Sequence, residues 1–228
     1  MTIRHIAMLA YPAMTALDLI GPHHVLCMVP DVKVHLVAKT LAPITSDLGL
    51  VITPSTTFDD CPEHLEVLFT PGGTRGTLAA IQDKATVDFM AARGRHAHWV
   101  TSVCTGSLLL GAAGLLNGRR ATSHWATRHL LSHYGAVPVD ERVVQDGNTL
   151  TGAGVTAGID FALTLAAALS SPEHACKIQL VAEYDPAPPF DAGSPASAGE
   201  SITAALKEQL AYFVTAADTE AQRWRKGG

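Results

Sequence analysis

Apolar runs rich in β-forming residues recur along this chain at RHIAMLA (4–10), KVHLVAKT (33–40), EVLFTPGG (66–73) and HWVTSVC (98–104), with stretches of helical composition between them. Strands that are apolar without strict alternation are buried on both faces, as happens when helices cover both sides of a parallel sheet. The pattern predicts an α/β fold, flavodoxin-like, with a mostly parallel sheet between helical layers. Helical sequence is read over 15–26, 77–95, 105–118, 125–135, 155–170, 171–184 and 201–218, and hairpins over 48–58 and 142–154. Residues 1–184 form one α/β unit on this reading. Residues 185–228 hold a Pro- and Gly-rich loop and a terminal helix that packs on this unit or on a partner subunit.

With 47% hydrophobic residues among 228, the chain has enough apolar material for a full core. Its start, MTIRHIAMLAYP, lacks the apolar run and cleavage pattern of a leader, and no segment has the length of a membrane span. A cytoplasmic protein without membrane association is expected. A net charge of -5 with dispersed Lys and Arg argues against nucleic acid as a partner. The absence of GxGxxG, Walker and GxSxG patterns argues against a bound nucleotide cofactor. His129 and His133 have helical i,i+4 spacing without an acidic third ligand, so no metal site is expected.

Cys27, Cys61, Cys104 and Cys176 form no CxxC pair and read as free thiols of a reducing compartment. Cys27 and Cys176 lie in apolar helical patterns and read as inert packing. Cys61, in DDCPE, reads as exposed, with acidic neighbours that raise its pKa. Cys104 stands where a strand gives way to a helix, on the edge of an open α/β sheet where ligands bind. A sharp turn there exposes the side chain, and the helix start favours an anion; a thiolate nucleophile is one reading. A small hydrophobe packed against a helix start is the other, and the residues alone leave both open.

Asp18 places one carboxylate in the apolar run ALDLIG just beyond the first strand, at the same sheet edge; burial there would raise its pKa and suit it to carry a proton. A helix-start or solvent-facing Asp is the alternative. Gly72 and Gly73, after EVLFTP, suit a tight turn with its amides toward the pocket, or a turn and nothing more. His124 follows Cys104 by 20 residues and reads either as a partner in a Cys-His arrangement or as a packed, hydrogen-bonded residue.

TPGG (70–73), SVCTGSLLLGAAGLLNGRRATSHW (102–125) and TGAGVTAGIDFALTLAA (151–167) together resemble the DJ-1/PfpI superfamily, in particular its branch of isocyanide hydratases and the amidase-like domains of AraC-type regulators. The resemblance covers most of residues 3–184. It implies a flavodoxin-like fold, a homodimer, Cys104 as nucleophile at a strained elbow and Asp18 as its acidic partner. The Asp in LDLIGP matches the hydratases, where many other members carry Glu. Thr105 resembles the hydroxyl residue of the hydratase site. The His that follows the cysteine in PfpI-type proteases is absent, which argues against peptidase activity. The regulators continue into a basic DNA-binding region, whereas this chain ends at Gly228, so a stand-alone enzyme is expected.

The implied reaction is cofactor-independent hydration of a small apolar isocyanide to an N-substituted formamide through a Cys104 thioimidate. Asp18 would move the protons, Thr105 and the amides around Gly73 and Cys104 would orient polar atoms, and Ile20 and Val155 would line the substrate pocket. The alternatives are a glyoxalase-like or amidase-like cysteine enzyme using His124, and a non-enzymatic small-molecule or redox-sensing domain.

Overall fold

The computed structural model describes residues 3–227, with side chains to Arg225. Met1, Thr2 and Gly228, the ends of the two units read from sequence, lie outside the described residues, as does the Lys226 side chain. In chain order the elements are β1 (Arg4–Leu9), α1 (Ala16–Leu26), β2 (Val32–Ala38), β3 (Ile44–Thr45), β4 (Val51–Ile52), β5 (Thr56–Thr57), β6 (Val67–Thr70), α2 (Arg75–Gln82), α3 (Lys84–Gly94), β7 (Trp99–Val103), α4 (Gly106–Ala112) and β8 (Arg120–Ala121). A 3-10 helix follows (Arg128–Tyr134), then β9 (Val137–Pro138), β10 (Val143–Asp146), β11 (Thr149–Gly152), α5 (Ala157–Leu169), α6 (Pro172–Val181), α7 (Pro195–Ala198) and α8 (Glu200–Gly227).

The central sheet has the order β10-β11-β7-β6-β1-β2-β5. All of its neighbours pair in parallel except β10 with β11, the hairpin that closes one edge. Strands β6 and β7 lie inside the sheet, and Val67, Leu68, Phe69 and Val103 are fully buried, which is why their sequences run apolar without alternation. On one side α1 packs on α5 and α5 on α6; elsewhere α2 packs on α3, α4 and α8. The flavodoxin-like fold expected from the strand pattern is the one found.

Several helices differ from their sequence reading. The run over 77–95 is two helices, because Asp83 takes an extended backbone (φ -86°, ψ 100°) and its side chain accepts the Thr86 N–H, capping α3. The run over 105–118 is helical for only seven residues, and Gly114 leaves the helix at φ +73°. The terminal helix extends past 218 to Gly227. Its second half lies on its own chain: Phe213, Ala217 and Ala221 are buried, and Trp224 Nε1 donates to the Ala112 carbonyl over 2.9 Å. The loop before it contains the short α7, with a capping box between Ser194 and Ser197. No described helix is long and apolar enough to cross a membrane.

The cysteines also differ from expectation. Cys27 and Cys176 are exposed, whereas Cys61 is buried. Helical composition does not tell which face a residue occupies; Cys27 caps the end of α1. Cys61 is drawn inward by the Arg93 guanidinium, which donates to its carbonyl over 3.1 Å. Its thiol is indeed pushed up, but by burial, with Arg93 pulling the other way.

Candidate active site

β7 ends at Val103, and the chain reverses into α4 through Cys104, whose φ of +57° is in the left-handed region. For a residue with a Cβ this conformation costs about 1–3 kcal/mol and persists only where the surroundings enforce it. Here they do. The Cys104 N–H is shared by the carbonyls of Gly152 (3.1 Å) and Ala153 (2.8 Å). Its carbonyl accepts the hydroxyls of Ser107 (3.2 Å) and Ser123 (3.1 Å). The backbone amides of Thr105 and Val155 point at the sulfur, and Val155 is itself left-handed at φ +30°.

Asp18, in the first turn of α1, is fully buried and accepts the Gly72 N–H at Oδ2 over 2.9 Å. The Cys104 thiol lies beside this carboxyl within hydrogen-bonding reach. The other oxygen, Oδ1, is buried without a hydrogen-bond partner of good geometry among the described residues. A carboxylate with an unfilled lone pair inside the fold is costly, and the cost appears as a shifted proton affinity. Burial pushes the Asp18 pKa up to about 7, with a smaller push from Asp47, against the pull of the Gly72 amide and the thiol. Burial, then the Asp18 charge, push the Cys104 thiol far up, outweighing the two amides. Burial and the neighbouring carboxyl therefore favour the protonated form of the Cys104 sulfur.

Gly72 is fixed by close approach. A Cβ there would stand 2.5 Å from Thr105 N and 2.9 Å from Asp18 Oδ2, so only glycine lets the turn after β6 touch both the elbow and the acid. Thr105 ties the same turn down. Its hydroxyl accepts the Gly73 N–H (2.9 Å) and donates to the Gly73 carbonyl (2.7 Å). Because that donates its single proton, the Thr77 hydroxyl 2.9 Å away is the donor to it. Behind them, Tyr11 donates to the Pro71 carbonyl over 2.7 Å. Thr105 thus has both lone pairs and its proton engaged inside the fold.

The structure brings Asp18, Gly72, Gly73, Cys104, Thr105 and Val155 together. Ile20 is 43% exposed on α1. His124 packs on Gly154, its Nδ1 accepts the Ala126 N–H over 3.3 Å, and burial and Arg128 hold its pKa down. Its ring and Val155 line a cavity of about 780 Å³ whose lining does not include Cys104. Among the described residues no three His, Cys, Asp or Glu side chains cluster as metal ligands. Sequence reasoning missed Tyr11, Thr77 and Ser123, ordinary hydroxyl residues whose partners are distant in the chain. It also missed that residues 193–196 and Lys207 form a wall of the cavity. Chemically, the arrangement offers a neutral thiol, an adjacent carboxyl able to hold or release its proton near neutrality, and amides that fix both.

Residues 4–168 match the model of the DJ-1/PfpI family. The isonitrile hydratase of Pseudomonas putida is 52% identical over 206 residues, 90% of each chain. A crystal structure of a ThiJ/PfpI family protein from Pseudomonas syringae superimposes with a TM-score of 0.95 at 52% identity, covering 97% of this chain and 91% of that one. Drosophila melanogaster DJ-1beta shares the fold at 20% identity, with a TM-score of 0.72 over 81% of this chain and 100% of that one.

Proposed function

The chain belongs to the DJ-1/PfpI family, and from that premise we propose that it is an isocyanide hydratase in which Cys104 is the nucleophile and Asp18 the proton carrier. The observation that carries this reading is the buried thiol set against a buried carboxyl whose pKa stands at about 7, in a chain 52% identical to an isonitrile hydratase.

The terminal carbon of R-NC is attacked by sulfur and must gain a proton in the same event. A neutral thiol beside a carboxylate supplies both. Asp18 takes the thiol proton as the S–C bond forms and passes it to that carbon, giving the thioimidate S–CH=N–R with no proton drawn from solvent. Water then adds to the C=N carbon, Asp18 relays its proton, and collapse expels the Cys104 thiol to leave HC(=O)NHR. A pKa near the working pH suits a group that accepts and donates in turn. The Thr105 and Val155 amides steady the sulfur, and Gly72 holds Asp18 Oδ2, leaving Oδ1 as the oxygen that exchanges protons. Thr105 acts through the turn it pins and not by contact with substrate. On this reading the enzyme needs no cofactor or metal, works as a homodimer, and is cytoplasmic.

Incubation of the purified protein with p-nitrophenyl isocyanide, methylglyoxal and glutamine in parallel tests the assignment. Formamide production from the isocyanide alone is expected. Turnover of methylglyoxal or glutamine without it would replace this reading with a glyoxalase-like or amidase-like one, and turnover of none with a sensor.

A further inference from the structure

The Pro71–Gly72 peptide is held from both ends. Its N–H donates to Asp18 Oδ2 over 2.9 Å, and its carbonyl accepts the Tyr11 hydroxyl over 2.7 Å. In a trans peptide these two groups point in opposite directions, so Tyr11, the peptide and Asp18 form one chain of hydrogen bonds through a single conjugated unit. A donor on the carbonyl polarises the N–H at the other end and strengthens the bond that it makes. Asp18 and Tyr11 are both buried, which keeps solvent from screening this coupling.

The protons along the chain have defined places. A carbonyl only accepts, so the Tyr11 proton lies in the 2.7 Å bond. The Thr77 hydroxyl stands farther from the Tyr11 oxygen, at 3.2 Å, and gives its own proton to Thr105. Burial pushes the Tyr11 pKa far up, so the phenol stays a neutral donor throughout the range in which Asp18 titrates. A second donor to the Pro71 carbonyl, the Thr70 hydroxyl, is longer at 3.2 Å. The other titratable groups that bear on Asp18 are the Cys104 thiol and Asp47. On α1 itself, His23 and His24 occupy the last turn, away from Asp18 in the first; on α5, packed against α1, Asp160 is paired with Arg142 at 2.6 Å.

We infer that Tyr11 is a positioning residue for proton transfer: through the Pro71–Gly72 peptide it aims and strengthens the hydrogen bond on Asp18 Oδ2, and so leaves Oδ1 as the oxygen that exchanges protons. The step it serves is that of the hydratase reading above, on which this inference rests. Tyr11 touches no reacting atom and acts from one peptide away. Without its hydroxyl the carboxylate loses part of a bond that favours the charged form, and its proton affinity rises.

Tyr11→Phe removes the donor and keeps the buried ring. Carbon NMR of protein with isotope-labelled aspartate carboxyls, the Asp18 signal being assigned by its loss in Asp18→Asn, reads the Asp18 midpoint without any substrate. That midpoint should move up from about 7 by about half a unit, as expected when a hydrogen bond to a charged group loses a modest cooperative share of its strength. The acid limb of kcat/KM for p-nitrophenyl isocyanide should move with it. Thr70→Val, which removes the longer donor to the same carbonyl, should move the midpoint the same way by less, and it carries the test alone where the Phe variant does not fold. A midpoint that stays put or falls in the folded variants, or that moves more in Thr70→Val than in Tyr11→Phe, confines Tyr11 to packing and overturns the inference. A midpoint that shifts as expected in a protein that hydrates no isocyanide overturns the hydratase reading and leaves the coupling of Tyr11 to Asp18 standing.

Discussion

Cys61 and Cys104 are both buried free thiols, 4% and 5% exposed, and burial pushes the pKa of each upward. They differ in everything around the sulfur. Cys61 sits near a guanidinium, and its thiol points at the Pro62 carbonyl 3.7 Å away, a group that takes no proton. Cys104 is held in a left-handed backbone against a carboxyl that titrates near neutrality. On the proposed reading, a buried thiol reacts through a neighbour able to receive its proton during attack, without being ionised beforehand. Burial, which alone makes cysteine inert, is also what raises Asp18 to a useful pKa.

The largest effect that separates the two is truncation. Cys104→Ala should reduce formamide production to the uncatalysed level. Cys61→Ala should leave the rate within about twofold and lower stability by about 1 kcal/mol, read by urea denaturation. A C61A protein as dead as C104A would erase the distinction.

Asp18→Asn should cost about two to four decades in rate, because the amide keeps the Gly72 contact and loses the proton. The same change should stabilise the fold. The Asp18 pKa is raised from its unfolded value of 3.8 to about 7, so its contribution to stability is fully present below pH 3.8 and is lost as pH rises through 7. Replacing it should gain up to about 4 kcal/mol at pH 8 and little near pH 4, as measured by denaturation at both. A rate loss below threefold would remove Asp18 from proton transfer.

The wild-type pH profile sharpens the contrast further. kcat/KM should rise through a pKa of about 7 as Asp18 becomes the carboxylate that accepts the thiol proton. A limb near 4 would describe an ordinary exposed carboxylate instead.

The smallest expected effect is at Thr77. Thr77→Val removes the donor to Thr105 and loosens the Gly72 turn, costing about 1 kcal/mol, or about fivefold in rate, with the acid limb moved upward as the Gly72 N–H slackens. An unmoved limb would confine Thr77 to stability.

The sheet was readable in the sequence for one physical reason: buried strands advertise themselves by apolar runs, and their carboxyl-terminal turns gather at one edge, which brought Cys104 and Asp18 forward as candidates without deciding either. Features set by long-range geometry were not readable. The exposure of Cys27 and Cys176 depends on which helix face meets the core, and the helix break at Asp83 on a cap competing with helical continuation. The Tyr11, Thr77 and Thr105 hydroxyls meet only once three turns are assembled. Lys207 reaches the cavity from more than a hundred residues beyond the cysteine, a placement no local pattern encodes.

Mass analysis of protein acid-quenched during turnover of p-nitrophenyl isocyanide puts the Cys104–Asp18 couple to the test. The account predicts a mass gain of one isocyanide on the peptide containing Cys104 in the wild type, strongly reduced in Asp18→Asn and absent from Cys104→Ala. Formamide released steadily while every cysteine peptide stays unmodified, or by the Cys104→Ala protein, would contradict it.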